Sequence, residues 1–307
     1  MSLPLVSVAI PAYRHAHFIE ATLASVCAQT YPELELVLID DGSPDDTLEV
    51  ARRFLENHRS RFRRIVLERR QNQGVSANSN ACIEACQGEW VHLLGSDDLI
   101  YPDKIARIQQ AIAEWSAHDL ALVHTDCDFV DQDGQQLTRS GLLPRPAPGP
   151  QDGAWRWIFL GEHSIFNPSI ALHREKFLAI GGFDRKLALE DIDCWLRLSA
   201  RHEIARLPEV LASYRKHPGN SLLRRVRMLG AQFITYAKFV EDHPGLVDEG
   251  DIRRQFRRNV RRFWKRMRKT HPGLLPMVLG AQLRSCFVTP TGADYRRFGE
   301  LLNQAAT

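Results

Sequence analysis

No apolar run in this sequence approaches the roughly 18–20 residues that a helix needs to cross a bilayer. The start, MSLPLVSVAIPAY, has no basic segment and passes directly into a strand-like run, so no signal peptide is expected. The six cysteines (Cys27, Cys82, Cys86, Cys127, Cys194, Cys286) are scattered. Cys82 and Cys86 sit one helical turn apart, and no second pair completes a zinc site. All six are expected to be reduced packing residues, and the chain to be cytoplasmic. No G-x-G-x-x-G follows the first strand, which argues against a dinucleotide-binding domain. No glycine- and lysine-rich loop stands there either, which argues against a nucleotidyltransferase. Net charge is only +3, and no aromatic-basic motif points to nucleic acid.

What is present is an ordinary globular composition. Across 307 residues, 44% are apolar and 25% charged, enough for a large core in one or two domains. Val6–Ile10, Leu34–Ile39, Ile65–Leu67 and Trp90–Leu94 read as strands. Helical spacing separates them, from Phe18 to Gln29, over Asp46–Asn57 and over Gly74–Cys86. This alternation implies a mostly parallel α/β sheet flanked by helices. Ligands in such sheets bind beyond the carboxyl ends of the strands. Pro11 and Tyr13, Asp40 and Asp41, and Asp97 and Asp98 all fall at such ends, so three polar clusters should converge on one crevice.

Each cluster also has a plain structural reading. Pro11 and Tyr13 can end a strand, and Asp40-Asp41-Gly42-Ser43 can be a turn with a helix cap. Asp97-Asp98 can be a capped turn, yet two adjacent carboxylates at the end of a buried strand are costly unless a cation or donor meets them. A divalent metal and a sugar hydroxyl are the natural partners.

The segments VSVAIPAYRHAHFIEATLASVCAQTYPELELVLIDDGSPDDT and GVSANSNACIEACQGEWVHLLGSDD, in that order, resemble the nucleotide-sugar domain of family 2 inverting glycosyltransferases, the GT-A fold. The likeness runs from residue 5 to about residue 220. It implies that Pro11 and Tyr13 line a base pocket, that Asp40 or Asp41 accepts a hydrogen bond from base or ribose, and that Asp97 meets the ribose. Asp98, last of a D-x-D-like motif, would hold Mn²⁺ or Mg²⁺ against the donor diphosphate, whose leaving charge a cation stabilises. Two departures stand out: Gly95 and Arg14 where the family often has Asp and Asn, and Ser79-Asn80 where it often has Arg-Asn.

Further on, Leu120–Val123 reads as a strand, Pro144–Pro150 as a proline-rich loop, and Asn167–Leu172 as a strand. Trp155, Trp157 and Phe159 read as core aromatics, with sugar stacking the alternative. Glu190 and Asp191 open a helical stripe, where the helix dipole favours carboxylates. The pattern GGFD, then ED-x-D-x-x-L-R, is similar to the family's acceptor-side motif. By that likeness Asp191 is the general base that takes the proton of the attacking hydroxyl. Glu190 and Asp193 would orient the acceptor or the helix. Glu203–Leu207 and Val210–Tyr214 would continue the sheet edge up to Tyr214-Arg215-Lys216-His217. There His217 would touch metal or phosphate, and Arg215 and Lys216 would steady the diphosphate.

From about residue 222 the likeness fades. Asp251–Lys269 has Ile252, Phe256, Val260, Phe263 and Met267 on one face and basic residues elsewhere. Two readings stand: a peripheral membrane contact, or a helix packed on the protein with a solvated basic face. Gly273–Phe287 reads as a short apolar helix and the last residues as a loose one. The expected division is a GT-A domain over 1–221, with a Rossmann-like nucleotide-sugar half (1–100) and an acceptor half (101–221), then a C-terminal helical extension over 222–307. The expected activity is metal-dependent sugar transfer from a nucleotide-sugar, with UDP the favoured nucleotide, to a glycan or lipid-linked acceptor in surface polysaccharide synthesis. A nucleotide-sugar-binding protein without catalysis is the alternative.

Overall fold

A computed structural model describes residues 3–137, 145–220, 225–267, 273 and 275–304. Pro144 of the proline-rich loop, Ser221 at the expected domain boundary and Lys269 at the end of the basic stretch lie outside the described residues. Contacts divide the chain into two compact units. The first comprises 1–154, 163–185 and 198–217; the second comprises 155–162, 186–197 and 218–307. This division differs from a single cut at 221, because the second unit also draws in two short segments from the middle of the chain.

The first unit is built on one sheet. Strands β1 (Val6–Ala12), β2 (Leu34–Asp40), β3 (Arg64–Arg69) and β4 (Trp90–Leu93) are parallel, in the order β3-β2-β1-β4. Helices α1 (Ile19–Cys27), α2 (Thr47–Glu56) and α3 (Val75–Ala85) make the crossovers. After the two-residue β5 (Leu99–Ile100) and helix α4 (Lys104–Glu114), the strands β6 (Leu120–Val130), β7 (Gly149–Gln151), β8 (Ile170–His173) and β9 (Glu203–Arg215) complete a nine-stranded sheet among the described residues. Strand β8 runs antiparallel between β4 and β6, and β6 pairs in parallel with β9. The carboxyl ends of β1, β2, β4 and β9 therefore share one edge of the sheet.

Two strands differ from their sequence expectation. β6 does not stop at Val123 but continues to Val130 through His124-Thr125-Asp126-Cys127-Asp128. These polar residues stay buried because they find partners: Asp126 is held by Arg206 at 3.0 Å, and Asp128 accepts the Tyr101 hydroxyl at 2.8 Å. β9 is one strand of 13 residues and is not an edge, since β7 covers its first half and β5 its second.

The core of the first unit is the apolar interior of β1 and β2 with Ile19, Leu23 and Val26 of α1. The opposite face of β2 buries a charge. Glu35, fully buried on β2, accepts the Ser7 hydroxyl at 2.5 Å and the Gln87 N–H at 2.7 Å, and pairs with Arg64. Ser7 Oγ in turn accepts the Gly88 N–H at 2.9 Å. A side chain at Gly88 would lie 2.7 Å from Ser7 Oγ, so the turn that feeds β4 requires glycine.

The second unit contains α5 (Trp155–Phe159) and the first eight residues of α7 (Glu190–Ser199), which follows the first unit's α6 (Arg174–Ala179) in the chain. It also contains α8 (Arg225–Asp242), α9 (Glu249–Met267), α10 (Leu275–Phe287) and α11 (Gly292–Gln304). Phe233, Phe256, Tyr295 and Phe298 form its aromatic centre, with ring centroids 4.8–5.9 Å apart. Phe159 packs on Tyr236, as the core reading of that segment expected. The terminal helix is not loose: a Cβ at Gly299 would lie 2.7 Å from the Gly230 carbonyl, so α8 and α11 cross at backbone contact.

Replacing Glu35 with Leu leaves Ser7 and the Gln87 amide without their acceptor. Each such loss costs about 1–3 kcal/mol, and urea denaturation should show a drop of that order or more for Glu35→Leu. An unchanged midpoint would refute the role given to this carboxylate.

Candidate active site

The loop after β1 opens the site. Pro11 is half-buried and Tyr13 is 41% exposed. Arg14 has φ +58°, a left-handed conformation that asparagine or glycine adopts more readily than arginine. This gives a physical reason for asparagine at that position in the family. The strained turn is held by Ser43 Oγ, which accepts the Arg14 N–H at 3.0 Å, and by Thr47 Oγ1, which accepts the His15 N–H at 2.9 Å.

After β2, both carboxylates have structural partners. Asp40 is fully buried; it accepts the Ser43 N–H at 3.0 Å and the Ser43 hydroxyl, with Arg69 at 3.6 Å. Asp41 accepts the N–H groups of Gln73 and Gly74, each at 2.9 Å, and so fixes the entry to α3. Further along α3, Asn80 clamps the tight turn at Gly181-Gly182-Phe183 by bonding both the N–H (2.8 Å) and the carbonyl (2.9 Å) of Phe183.

After β4, Gly95-Ser96-Asp97-Asp98 folds back on itself. A Cβ at Gly95 would lie 2.8 Å from Asp98 Oδ2 and 2.9 Å from Asp97 Oδ1. The two carboxylates occupy the space that a side chain would need. They then diverge. Asp98 is buried, and its Oδ1 accepts the Arg215 N–H at 2.9 Å. Burial and the neighbouring Asp97 charge hold its carboxyl well above the usual carboxylate range. Asp97 lies 2.9 Å from His217 Nε2 and 3.8 Å from His15 Nδ1.

His15, Asp97 and His217 offer one ligand atom each, all within 4.8 Å of one another. Two metal–ligand bonds of about 2.0–2.3 Å span at most about 4.6 Å, so small side-chain shifts would bring this donor set onto one divalent transition metal. Asp98, expected to hold the metal, is not in this group; its side chain anchors the turn from beneath. His15 was missing from the sequence expectations. Burial lowers its pKa, partly opposed by Asp97, which keeps the imidazole neutral and able to ligate. Arg215, expected beside the diphosphate, is engaged by the backbone. Its guanidinium bonds the carbonyls of Asp97 (2.7 Å), Gln132 (3.0 Å) and Asp131 (3.2 Å) and stacks on Phe18. Lys216 lies over the Phe129 ring, 3.8 Å from its centroid.

In the second unit, Glu190 and Asp191 begin α7. Asp191 accepts the Ile192 N–H at 2.7 Å, and burial raises its pKa. Burial, and then the Asp191 charge, push Glu190 up to about 8. Asp193 is buried between Arg197 (2.6 Å) and Lys238 (3.3 Å). Of the two roles expected for it, orienting the helix is the one these partners describe.

The model for the family "Glycosyl transferase family 2" matches residues 7–181, more than half of the chain. This chain belongs to glycosyl transferase family 2. It is 26% identical to a chondroitin synthase of Escherichia coli over 231 residues, 73% of this chain and 31% of that protein. It is also 26% identical to a hyaluronan synthase of Pasteurella multocida, over 78% of this chain and 24% of the relative. The chain thus spans less than a third of the length of these relatives. Among solved structures, Staphylococcus aureus TarS 1-349 in complex with UDP-GlcNAc superposes with TM-score 0.66 at 17% identity, over 98% of this chain and 92% of that one. The Pyrobaculum calidifontis mannosyltransferase PcManGT, in complex with GDP-Man and Mn²⁺, gives 0.60 at 19%, covering 99% and 88%. The fold of this family 2 glycosyltransferase is GT-A.

Gly95 is the residue on which the carboxylate arrangement depends. Gly95→Ala should displace Asp97 or Asp98 and destabilise the protein by about 1–3 kcal/mol. Thermal unfolding together with Mn²⁺ titration by calorimetry checks this: weakened metal binding is expected, and wild-type behaviour in both would refute it.

Proposed function

We propose that this glycosyltransferase is metal-dependent and inverting, moving a sugar from a nucleotide-sugar to a hydroxyl of a glycan or lipid-linked acceptor. The observation that carries the reading is the convergence of His15, Asp97 and His217 at the carboxyl edge of the sheet, where α/β folds bind ligands. Asp97 with His217 and His15 would hold the cation, with Asp98 fixing the turn beneath. When bound, a divalent metal neutralises the charge that develops on the departing diphosphate. Tyr13 and Pro11 would line the base pocket, beside the loops shaped by Asp40 and Asp41. UDP is the favoured nucleotide; the TarS complex supports it, whereas the PcManGT complex carries GDP-Man.

Asp191 is the proposed base. An inverting transfer needs one carboxylate to take the acceptor proton as the hydroxyl attacks, and no second nucleophile. Burial raises Asp191, which makes it a stronger base than a solvated aspartate. Burial and then the Asp191 charge push Glu190 up to about 8, so Glu190 can share the pair's proton at neutral pH and donate a hydrogen bond. Such a pair shares its titration, and its inflections belong to the pair.

Binding of UDP, GDP and dTDP, with and without Mn²⁺, to wild type and to Asp97→Ala tests the donor site. Metal-dependent binding lost in the variant is expected, and no nucleotide binding would overturn the reading. Two imidazoles and one carboxylate also favour Mn²⁺ or Co²⁺ over Mg²⁺, and His15→Ala should weaken Co²⁺ binding more than about tenfold.

Asp191→Asn should lower kcat by about 10²–10⁴ while leaving donor binding intact. A nucleotide-sugar binder has no such turnover to lose. Glu190→Gln mimics the neutral acid. It should keep turnover at neutral pH and remove the alkaline inflection expected near pH 8 in wild type. An inflection that survives the substitution would assign it elsewhere.

A further inference from the structure

The basic stretch of α9 is not explained by the transfer reaction. Its apolar face is already used: Ile252, Phe256, Val260 and Phe263 are buried, and Phe256 packs on Phe233, Tyr295 and Phe298. An amphipathic helix that lies in a membrane surface needs that face for the acyl boundary. Of the two readings of this helix, packing on the protein accounts for its apolar face. What remains is a predominantly cationic surface.

That surface is concave. Six arginines between Arg253 and Arg262, together with Lys265 and Gly250, line a cavity of about 500 Å³. The arginines fall as the pairs 253/254, 257/258 and 261/262. Successive pairs are about 6 Å apart along the helix axis, and the row from 253 to 265 extends about 18 Å. Like charges at this spacing repel and cost helix stability.

Neutral groups hold Arg253, Arg257 and Arg258 in place. Arg253 bonds Thr289 Oγ1 at 2.5 Å, Arg257 bonds the Ser285 carbonyl at 2.7 Å, and Arg258 bonds the carbonyls of Leu160 and Gly161 at 2.8 and 2.9 Å. The acidic residues of α9 are engaged elsewhere: Asp251 pairs with Arg156 at 2.6 Å, and Glu249 accepts the Thr289 hydroxyl at 3.0 Å. Arg254 comes no nearer than 3.9 Å to Asp251. The Arg253 Nε is buried without a partner among the described residues. A guanidinium has five donors, so fixed arginines that spend one or two on carbonyls keep forks for an anion.

We propose that this groove binds a linear anionic glycan, the polymer that serves as acceptor. The inference rests on the glycosyltransferase reading above and names its acceptor class. A row of paired cations about 6 Å apart matches a chain whose carboxylate, sulfate or phosphate groups recur along its length. A single row of cations along one helix suits a linear strand better than a broad lipid surface.

The test is fluorescence polarisation with labelled alginate and dextran sulfate oligosaccharides, and with neutral dextran of equal length. Inorganic polyphosphate and phosphatidylglycerol vesicles serve as competitors. Wild type is compared with Arg254→Gln/Arg261→Gln/Lys265→Gln, whose three exposed side chains line the groove. UDP binding and Tm are measured on the same preparations. The expected result is salt-sensitive binding of an anionic glycan, none of dextran, and a loss of roughly tenfold or more in the variant, with UDP binding unchanged and Tm equal or higher. Binding that survives the triple substitution overturns the proposal. So does no glycan binding, vesicle binding in preference to both glycans, or polyphosphate competition matching the glycan charge for charge, which would mark an ion-exchange surface only. Loss of UDP binding in wild type would instead sink the donor-site reading.

Discussion

The turn after β4 depends on how two adjacent carboxylates are kept apart. In one direction Asp98 is buried and bonded to the backbone N–H of Arg215; in the other Asp97 meets two imidazoles. Arg215 makes this division possible, because its guanidinium fixes the Asp97 carbonyl and ties the turn to Asp131 and Gln132. Its stack on Phe18 adds a tie to the chain just before α1. A cation thus lies beside both acids, yet it bonds the backbone and leaves the Asp97 side chain to the histidines.

The same economy runs through the neighbouring loops. Asp40 and Asp41 resemble ligand contacts in the sequence, yet each holds a backbone segment: Asp40 the turn at Ser43, Asp41 the entry to α3. Arg14 shows what such loop geometry costs, since a non-glycine residue sits at φ +58° and two hydroxyls anchor the flanking amides. Strain of this kind persists where surrounding structure over-determines the loop.

Much of this was legible in the sequence because it rests on local pattern. Strand–helix alternation gave the parallel half-sheet, and the carboxyl-end rule gave the crevice. Single strands failed where burial and polarity disagree. His124 to Asp128 read as the end of a strand, yet partners such as Arg206 and Tyr101, some 80 and 27 residues away, make those positions buried strand. The partners of the acid pair were not legible for a related reason. A dipeptide carries no record of which carboxylate meets a backbone amide 117 residues later and which meets His217. His15 was missed because one histidine in a loop has no spacing signal. The ion pair and ring contact that reveal it come from residues far along the chain.

Gly95 joins these observations. The family often places a carboxylate there, and a third acid beside Asp97 and Asp98 would raise the cost of keeping the cluster ionised. With glycine, the two carboxylates fold back into the vacant space, and the imidazoles of His15 and His217, from the ends of β1 and β9, lie beside Asp97. In the proposed metal site, two nitrogen donors beside one oxygen donor would favour later divalent ions over Mg²⁺.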